Sequence, residues 1–534
     1  GSLVDPERRP SMLRAFATVG SLTAISRILG FLRDILIAAV LGTGPVADAF
    51  FVAFRFPNLF RRLFAEGAFN AAFVPLFAAR LEQDGRIAAK AFAEEALAVM
   101  TAALLLFTAV CLFAMPWLMP LVAPGFADDP KQLALAIELT RISFPYLLAM
   151  VLVALFSGVL NALYRYAAAA ASPILLNLFF SGAITLVLPH FRDQPGEVLA
   201  WSVATAGLGQ LLLLVWAAKR AGMELRMPRP RLTPGIRRLP RLALAGALSA
   251  GAMQINLLVG TMIATLQAGA VSYLYYADRL YQLPLGIIGI GIGIVLLPEL
   301  SRKLRAGLDG AALASLNRAL EFSLLLTLPA TVALLVVPYP IISVLFERGA
   351  FDAEAARLTA AALAAFALGL PAYVLVKVLQ PPFFARQDTV IPLRFALISV
   401  VANLLLSLLL FFTIGFIGIA LATAVSSWLN VSLLAQRLHQ RGFLKLDSRL
   451  RRRLPRSLLA AVVMGAVLLI LSTVLADLFE AGALLRILAL ALLVLAGGGV
   501  YFLLAFILRA VEREDVSAAF RRRPRTARGG EESA

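Results

Sequence analysis

Residues Ser26–Pro75 read SRILGFLRDILIAAVLGTGPVADAFFVAFRFPNLFRRLFAEGAFNAAFVP. By apolar content this stretch is two membrane helices joined by a short turn. Yet it carries Arg27, Arg33, Asp34, Asp48, Arg55, Arg61, Arg62 and Glu66. A charge at the bilayer centre costs roughly 2.5–3.5 kcal/mol on insertion scales. Residues at helix ends escape much of that cost by snorkelling to the interface. Arg33–Asp34 and Arg61–Arg62 have less recourse to that escape, because long apolar runs flank them. Several arginines on the first two helices point to a polar, anion-attracting cavity inside a helical bundle.

Composition agrees with a membrane setting. The chain has 534 residues, of which 61% are hydrophobic and 15% charged, and its mean hydropathy is +0.87. A soluble domain would be about 25% charged. The apolar residues recur in blocks of about 20 or more, enough to cross a ~30 Å hydrocarbon core. The weak alternating segments of about ten residues that mark a β-barrel are missing. The formal net charge of +18 fits basic cytoplasmic loops better than nucleic-acid binding. The single cysteine, Cys111, lies in an apolar helix and reads as packing. The two histidines, His190 and His439, fall near predicted helix ends, so no metal site and no cofactor is expected. The first apolar stretch is too long and too arginine-rich for a cleavable signal, and is expected to be a retained helix.

About fourteen spans emerge by length and hydropathy, from 13–41 to 484–508. Prolines 57, 145, 284 and 371 fall inside or near spans and are expected to kink them. Connections after even-numbered spans are basic, as in the run Lys219–Arg241 and the run Arg437–Arg456; those after odd spans, such as GTGP at 42–45 and AGA at 268–270, are not. Both termini are therefore expected in the cytoplasm. Three sequence matches pair the two halves at offsets of 223, 224 and 226 residues, anchored at Pro75 and Pro298, Pro116 and Pro340, and Pro145 and Pro371. The expected architecture is all-α and polytopic: two six-helix lobes, 1–225 and 226–445, related by a pseudo-two-fold along the membrane normal. A terminal helix pair, 446–512, and a disordered cytoplasmic tail, 513–534, complete it.

Span eight opens VSYLYYADRLYQLP, with Asp278 and Arg279 about two turns inside. By the repeat it matches span two. Arg27, Arg33, Arg61 and Arg279 are expected to form a positive chamber. Guanidinium binds phosphate through paired planar hydrogen bonds and never loses its charge, so a diphosphate suits that chamber. Asp34, Asp48, Glu66 and Asp278 would balance the charge and hold arginine rotamers; Asn58 and Arg62 join the candidate substrate contacts. The opposing reading makes each arginine a helix-end anchor or ion-pair partner; the cluster outweighs its members. Asn161, Asn177, Asn256 and Asn403 read as interhelical hydrogen bonds, and the glycine runs 286–295 and 497–499 as close packing. Lys377 reads as a gate residue or a snorkelling one. No P-loop spacing, Ser/His/Asp set or metal-ligand spacing occurs, so no catalysis is expected.

SRILGFLRD, ADAFFVAFRFPNLFRRLFAEGAFNAAFVP, APGFAD, YYADRLYQLPLG and ARQD at 385–388 together resemble the MurJ (MviN) lipid II flippase family, of the multidrug/oligosaccharidyl-lipid/polysaccharide exporter superfamily. The resemblance covers spans one to twelve well and the last two loosely. It implies fourteen helices and transport of undecaprenyl-diphosphate-linked disaccharide-pentapeptide from the cytoplasmic to the periplasmic leaflet of the bacterial inner membrane. It also implies cavity arginines at Arg27, Arg33, Arg61 and Arg279, a functionally sensitive Asp48, and a lipid-tail groove on the last two helices. Lipid II, membrane lipids and the peptidoglycan synthesis machinery are the partners it implies, with no nucleic acid. Some members bind sodium between the helices matching spans seven and eleven; here those spans offer Asn256 and Asn403 but no central carboxylate. Two alternatives remain: a cation-coupled multidrug or other polyprenyl-diphosphate-oligosaccharide exporter of the superfamily, and a non-transporting membrane scaffold.

Overall fold

The computed structural model describes residues 12–520, and within them every regular element is a helix. In chain order these are α1 (Met12–Leu41), α2 (Pro45–Arg61), α3 (Asn70–Gln83), α4 (Arg86–Val122), α5 (Pro130–Ser143), α6 (Tyr146–Ala162), α7 (Ala167–Gly182), α8 (Pro195–Arg220), α9 (Pro234–Ala264), α10 (Ala270–Leu285) and α11 (Gly291–Arg305). There follow α12 (Asp309–Val336), α13 (Pro338–Phe346), α14 (Ala353–Ala367), α15 (Leu370–Leu379), α16 (Pro381–Ala385), α17 (Val390–Ile414), α18 (Ile417–Gln440), α19 (Ser448–Val474), α20 (Ala476–Phe479), α21 (Ala483–Ile507) and α22 (Arg513–Phe520). Among the described residues, ten helical segments are long and apolar enough to cross a membrane, and they match expected spans three to six and nine to fourteen. Spans one, two, seven and eight are helical but fall outside those ten, so the count of fourteen is not established.

Local chemistry sets where the helices begin and bend. Pro45, Pro130, Pro195 and Pro234 sit in first turns, where a missing N–H is harmless. Asp129, Thr233 and Asp447 accept from N–H groups of the helices they precede. The four prolines expected to kink spans lie at or near irregularities. Pro57 is inside α2, Pro145 separates α5 from α6, Pro284 closes α10, and Pro371 opens α15. After Pro57 the helix widens into a π-turn, Arg62–Phe69; after Pro284 it does so at Gly286–Ile290. Those two π-turns begin 224 positions apart, the offset of the internal repeat.

The chain forms two compact units. One takes in the chain up to Leu280 with Leu345–Phe366 and Leu393–Asn430; the other comprises Tyr281–Val344, Ala367–Pro392 and the chain from Val431. In the first, Phe69 at the end of the π-turn stacks on Phe73 of α3 and Phe73 on Phe77, with centroids 4.9 and 5.6 Å apart, and Phe92 lies 5.6 Å from Phe73. Leu155, Phe156 and Val159 of α6 close that core. The end of α1 is fixed by a backbone contact: Ala350 N–H donates to Ala39 O at 2.9 Å. Gly349 makes it possible, with φ at +54°; a Cβ there would stand 2.3 Å from Ala39 O. In the second unit, α19 packs between α12 and α21. Gly497 lets Leu468 approach to 2.7 Å from where its Cβ would be, as close packing requires, while Gly498 and Gly499 face open space.

The expected disordered tail needs correction over its first eight residues: Arg513–Phe520 is α22. An ion network holds it. Arg449 reaches Asp515 at 2.7 Å and Glu321 at 3.3 Å; Arg453 reaches Glu321 at 2.6 Å, Asp515 at 2.8 Å and Glu512 at 3.4 Å. The remainder, 521–534, lies outside the described residues.

Two predictions follow from these contacts. Gly349→Ala lowers unfolding stability by roughly 1–3 kcal/mol, read as a lower melting temperature in detergent. Gly310→Ala, with nothing within 4 Å of its Cβ, is the tolerated control. Burial raises the Asp515 carboxyl, but the Glu512 N–H and Arg453 outweigh it and hold the group below its ordinary value. A depressed carboxylate stabilises fully above its unfolded value of about 4 and loses that contribution as pH falls through its lower folded value. A nitroxide at Ser517→Cys in a Cys111→Ser background therefore stays immobile at pH 7 and 5 and loosens only below about pH 4. Loosening at pH 6 contradicts the clasp.

Candidate functional site

The charges of the opening stretch meet the start of α10 in the first unit. Arg33 and Asp34 are consecutive on α1, 8% and 3% exposed. Arg33 Nη1 donates to Asn177 Oδ1 on α7 at 3.0 Å, and Nη2 lies 3.3 Å from Asp34 Oδ1. The guanidinium also sits 5.3 Å from the Phe180 ring centroid. Asn177 is itself held, its amide donating to Ser26 O at 2.9 Å. This is the interhelical role expected of Asn177.

Asp34 gathers the cluster. Tyr275 Oη donates to its Oδ1 at 3.0 Å, and Arg279 Nε stands 3.8 Å from Oδ2. That last separation is an ion pair without a hydrogen bond. Arg279 lies over the Tyr275 ring, 4.8 Å from its centroid, and Tyr275 stacks on Phe51 of α2 at 3.9 Å. Removing one partner from a buried pair costs about 3–5 kcal/mol, because the other charge is stranded. Arg33 and Arg279 are thus held close to one carboxylate, both with unused N–H groups: Nε of each, though buried, has no hydrogen-bond partner.

Arg61 belongs to a second group. Its Nε donates to Asn58 Oδ1 at 3.0 Å and its Nη1 to Glu66 Oε1 at 2.8 Å. An ordinary helix turns residues five apart away from each other; the π-turn that starts at Arg62 brings them together. Arg62 is exposed, within electrostatic reach of Arg61, Glu66, Arg279 and Arg55. Arg55 donates to Thr261 Oγ1 on α9 at 2.6 Å. Asp278 is half-buried beside Arg279.

Two expected members stand apart. Arg27 is exposed on α1, and no contact among the described residues draws it into the cluster. Asp48, 1% exposed, does not hold an arginine rotamer. It accepts from Gly269 N–H at 2.7 Å, Ser272 N–H at 3.0 Å and the Ser272 hydroxyl. The carboxylate sits over the N-terminal N–H groups of α10, where the helix dipole favours a negative charge. Beside it Tyr276 Oη donates to Gly42 O at 2.8 Å.

A family model described as "Lipid II flippase MurJ" matches residues 37–490. The chain belongs to the lipid II flippase MurJ family. A protein of Rhizobium tropici, "Probable lipid II flippase MurJ", is 48% identical over 508 residues, covering 94% of this chain and 95% of its own length. The fold is similar to that of the solved structure "Lipid II flippase MurJ, inward closed conformation", with a TM-score of 0.74 at 24% identity over 92% of this chain and 98% of that one. A multidrug resistance MATE family transporter of the MOP superfamily, in an inward-facing conformation, gives a TM-score of 0.67 at 15% identity over 80% of this chain and 98% of that one. The chain is a multi-pass, all-α membrane protein of this fold.

In this MurJ-family chain the sequence pointed to Arg33, Asp34 and Arg279 but missed Tyr275 and Ser272 as partners. Their signal was the run SYLYYADR at 272–279, which carries donors at Ser272, Tyr273, Tyr275, Tyr276 and Arg279. Asn256 and Asn403 bond between helices as expected: Asn403 Nδ2 donates to Asn256 Oδ1, and Ser407 Oγ lies 3.4 Å from Asn403 Oδ1.

Asp48→Ala strands three donors at the start of α10. It should lower stability by roughly 3 kcal/mol, measured as thermal unfolding of the purified protein. An unchanged melting temperature contradicts this placement.

Proposed function

We propose that the chain translocates lipid II from the cytoplasmic to the periplasmic leaflet of the bacterial inner membrane by alternating access. Membership of the MurJ family supports the substrate. The single observation that carries the chemistry is the Arg33–Asp34–Arg279 group, with Arg279 in ion-pair contact with Asp34 but not hydrogen-bonded to it. A diphosphate offers two phosphates to paired, planar guanidinium forks. Binding adds anionic oxygens where Asp34 is in ion-pair contact with two cations. Arg61, Arg62 and Asn58 extend the positive field; Glu66 and Asp278 limit it. Asp48 acts from the side, fixing the start of the helix that carries Arg279.

The rest follows from that reading. Residues 1–225 and 226–445 serve as the two lobes that rock about the substrate, and 446–512 as the pair that shelters the lipid tail. The basic loops support a cytoplasmic position for both termini. The chain moves its substrate without chemical change, and lipid II and membrane lipids are its partners, with the peptidoglycan synthesis machinery as the consumer. An inside-negative potential helps reset the arginine-bearing helices inward, at ~2.3 kcal/mol per charge per 100 mV. A cation-coupled multidrug exporter requires acids exposed in an apolar cavity, whereas here Asp34 is enclosed by arginines.

Arg33→Ala and Arg279→Ala should each fail to sustain growth of a strain depleted of its own lipid II flippase, while reaching the membrane at wild-type levels. Complementation by both variants, or efflux of cationic drugs by the wild type, contradicts the proposal.

A further inference from the structure

α6 and the π-turn line an open-sided cavity of about 420 Å³ within the first unit, with Arg61 at its edge. Arg61 and Glu66 line one side; Ser157 and Asn161 of α6 line the other, over an apolar wall that includes Val74 and Met150. Gly158 brings α6 against α3: a Cβ there would stand 3.0 Å from Val74 Cγ2. Asn161 was expected to bond between helices. Instead it is exposed into this cavity, and no hydrogen bond of the Ser157 or Asn161 side chain is made to a described residue.

Arg61 spends two of its five N–H groups on Asn58 and Glu66. Three remain for a ligand, beside a carboxylate, a hydroxyl and an amide. The wall carries no aromatic ring among the described residues for a sugar to lie on. The volume holds roughly a dozen waters at about 30 Å³ each, more than a phosphate needs. Alternating donors and acceptors, one cation, one anion and a smooth aliphatic wall match a short peptide with small side chains and a free carboxylate.

We infer that the cavity receives the peptide portion of the lipid II headgroup, with Ser157 and Asn161 as specificity-determining contacts. The inference rests on the flippase reading above. It assigns the diphosphate and the peptide to separate groups of residues, and these can be tested apart.

The test compares binding of lipid II and of undecaprenyl diphosphate to the purified full chain. Asn161→Leu with Ser157→Val should weaken lipid II about tenfold, the loss of one or two hydrogen bonds, and leave undecaprenyl diphosphate unchanged. Asn161→Ala, which removes the amide without adding bulk, should do the same in smaller measure if the double variant does not fold. Lipid II with its peptide trimmed to one residue should bind the wild type about tenfold more weakly and no longer respond to Asn161→Ala. Equal weakening of both ligands, or of neither, overturns the inference. So does loss of co-purified phosphatidylglycerol with lipid II binding intact, which would make the cavity a phospholipid site. Arg33→Ala is the separate control: if undecaprenyl diphosphate still binds it as to wild type, the flippase reading of the cluster fails instead.

Discussion

One carboxylate organises the functional half of this molecule. Asp34 is buried on α1 and is contacted by Arg33 from its own helix and by Tyr275 and Arg279 from α10. A lone ion of either sign would be prohibitive there. Together they are tolerable, and they hold two guanidinium groups near one point before any ligand arrives. Pre-positioning of this kind reduces the ordering cost of binding. The arrangement is asymmetric. Arg33 donates to Asn177 and packs on Phe180, whereas Arg279 packs on the Tyr275 ring and meets Asp34 at ion-pair range without a hydrogen bond. Of these two, Arg279 is the more exposed, with 34% of its side chain accessible against 9% for Arg33.

Asp48 does different work with the same chemistry. Its oxygens take the place of missing carbonyl partners at the start of α10. The helix that presents Tyr275 and Arg279 is thus pinned at its first turn by a residue of α2. The π-turn after Pro57 is the other positioning device. By changing the number of residues per turn it pairs Arg61 with Glu66 and opens the notch beside α6. A second π-turn at Gly286–Ile290 occupies the equivalent place in the other half of the sequence repeat.

Much of this was legible in the sequence because membranes make charge conspicuous. Arg33–Asp34 and Arg279 stood out against apolar runs, and the structure brings them together. Prolines 57, 145, 284 and 371 marked bends for the local reason that a missing N–H cannot be repaired within the helix. What was not legible depended on neighbours distant in sequence. Asp48 looked like a counter-ion for arginine, since nothing local reveals that Gly269 and Ser272 lie over it. Asn161 looked like an interhelical bond, since periodicity does not tell a packed face from the rim of a cavity. The polar stretch after Val511 looked like a tail because its partners, Arg449 and Arg453, lie more than 60 residues away.

The account requires forked guanidinium groups in the cluster, and not simply positive charge. The most direct measurement is translocation of the lipid II headgroup across liposomes by purified Arg33→Lys and Arg279→Lys, with matched protein insertion. Lysine keeps the charge and loses the planar pair of donors. The account predicts that both variants lose at least about nine-tenths of the wild-type rate, the scale of one lost charge-assisted contact. Translocation at the wild-type rate by both lysine variants would contradict it.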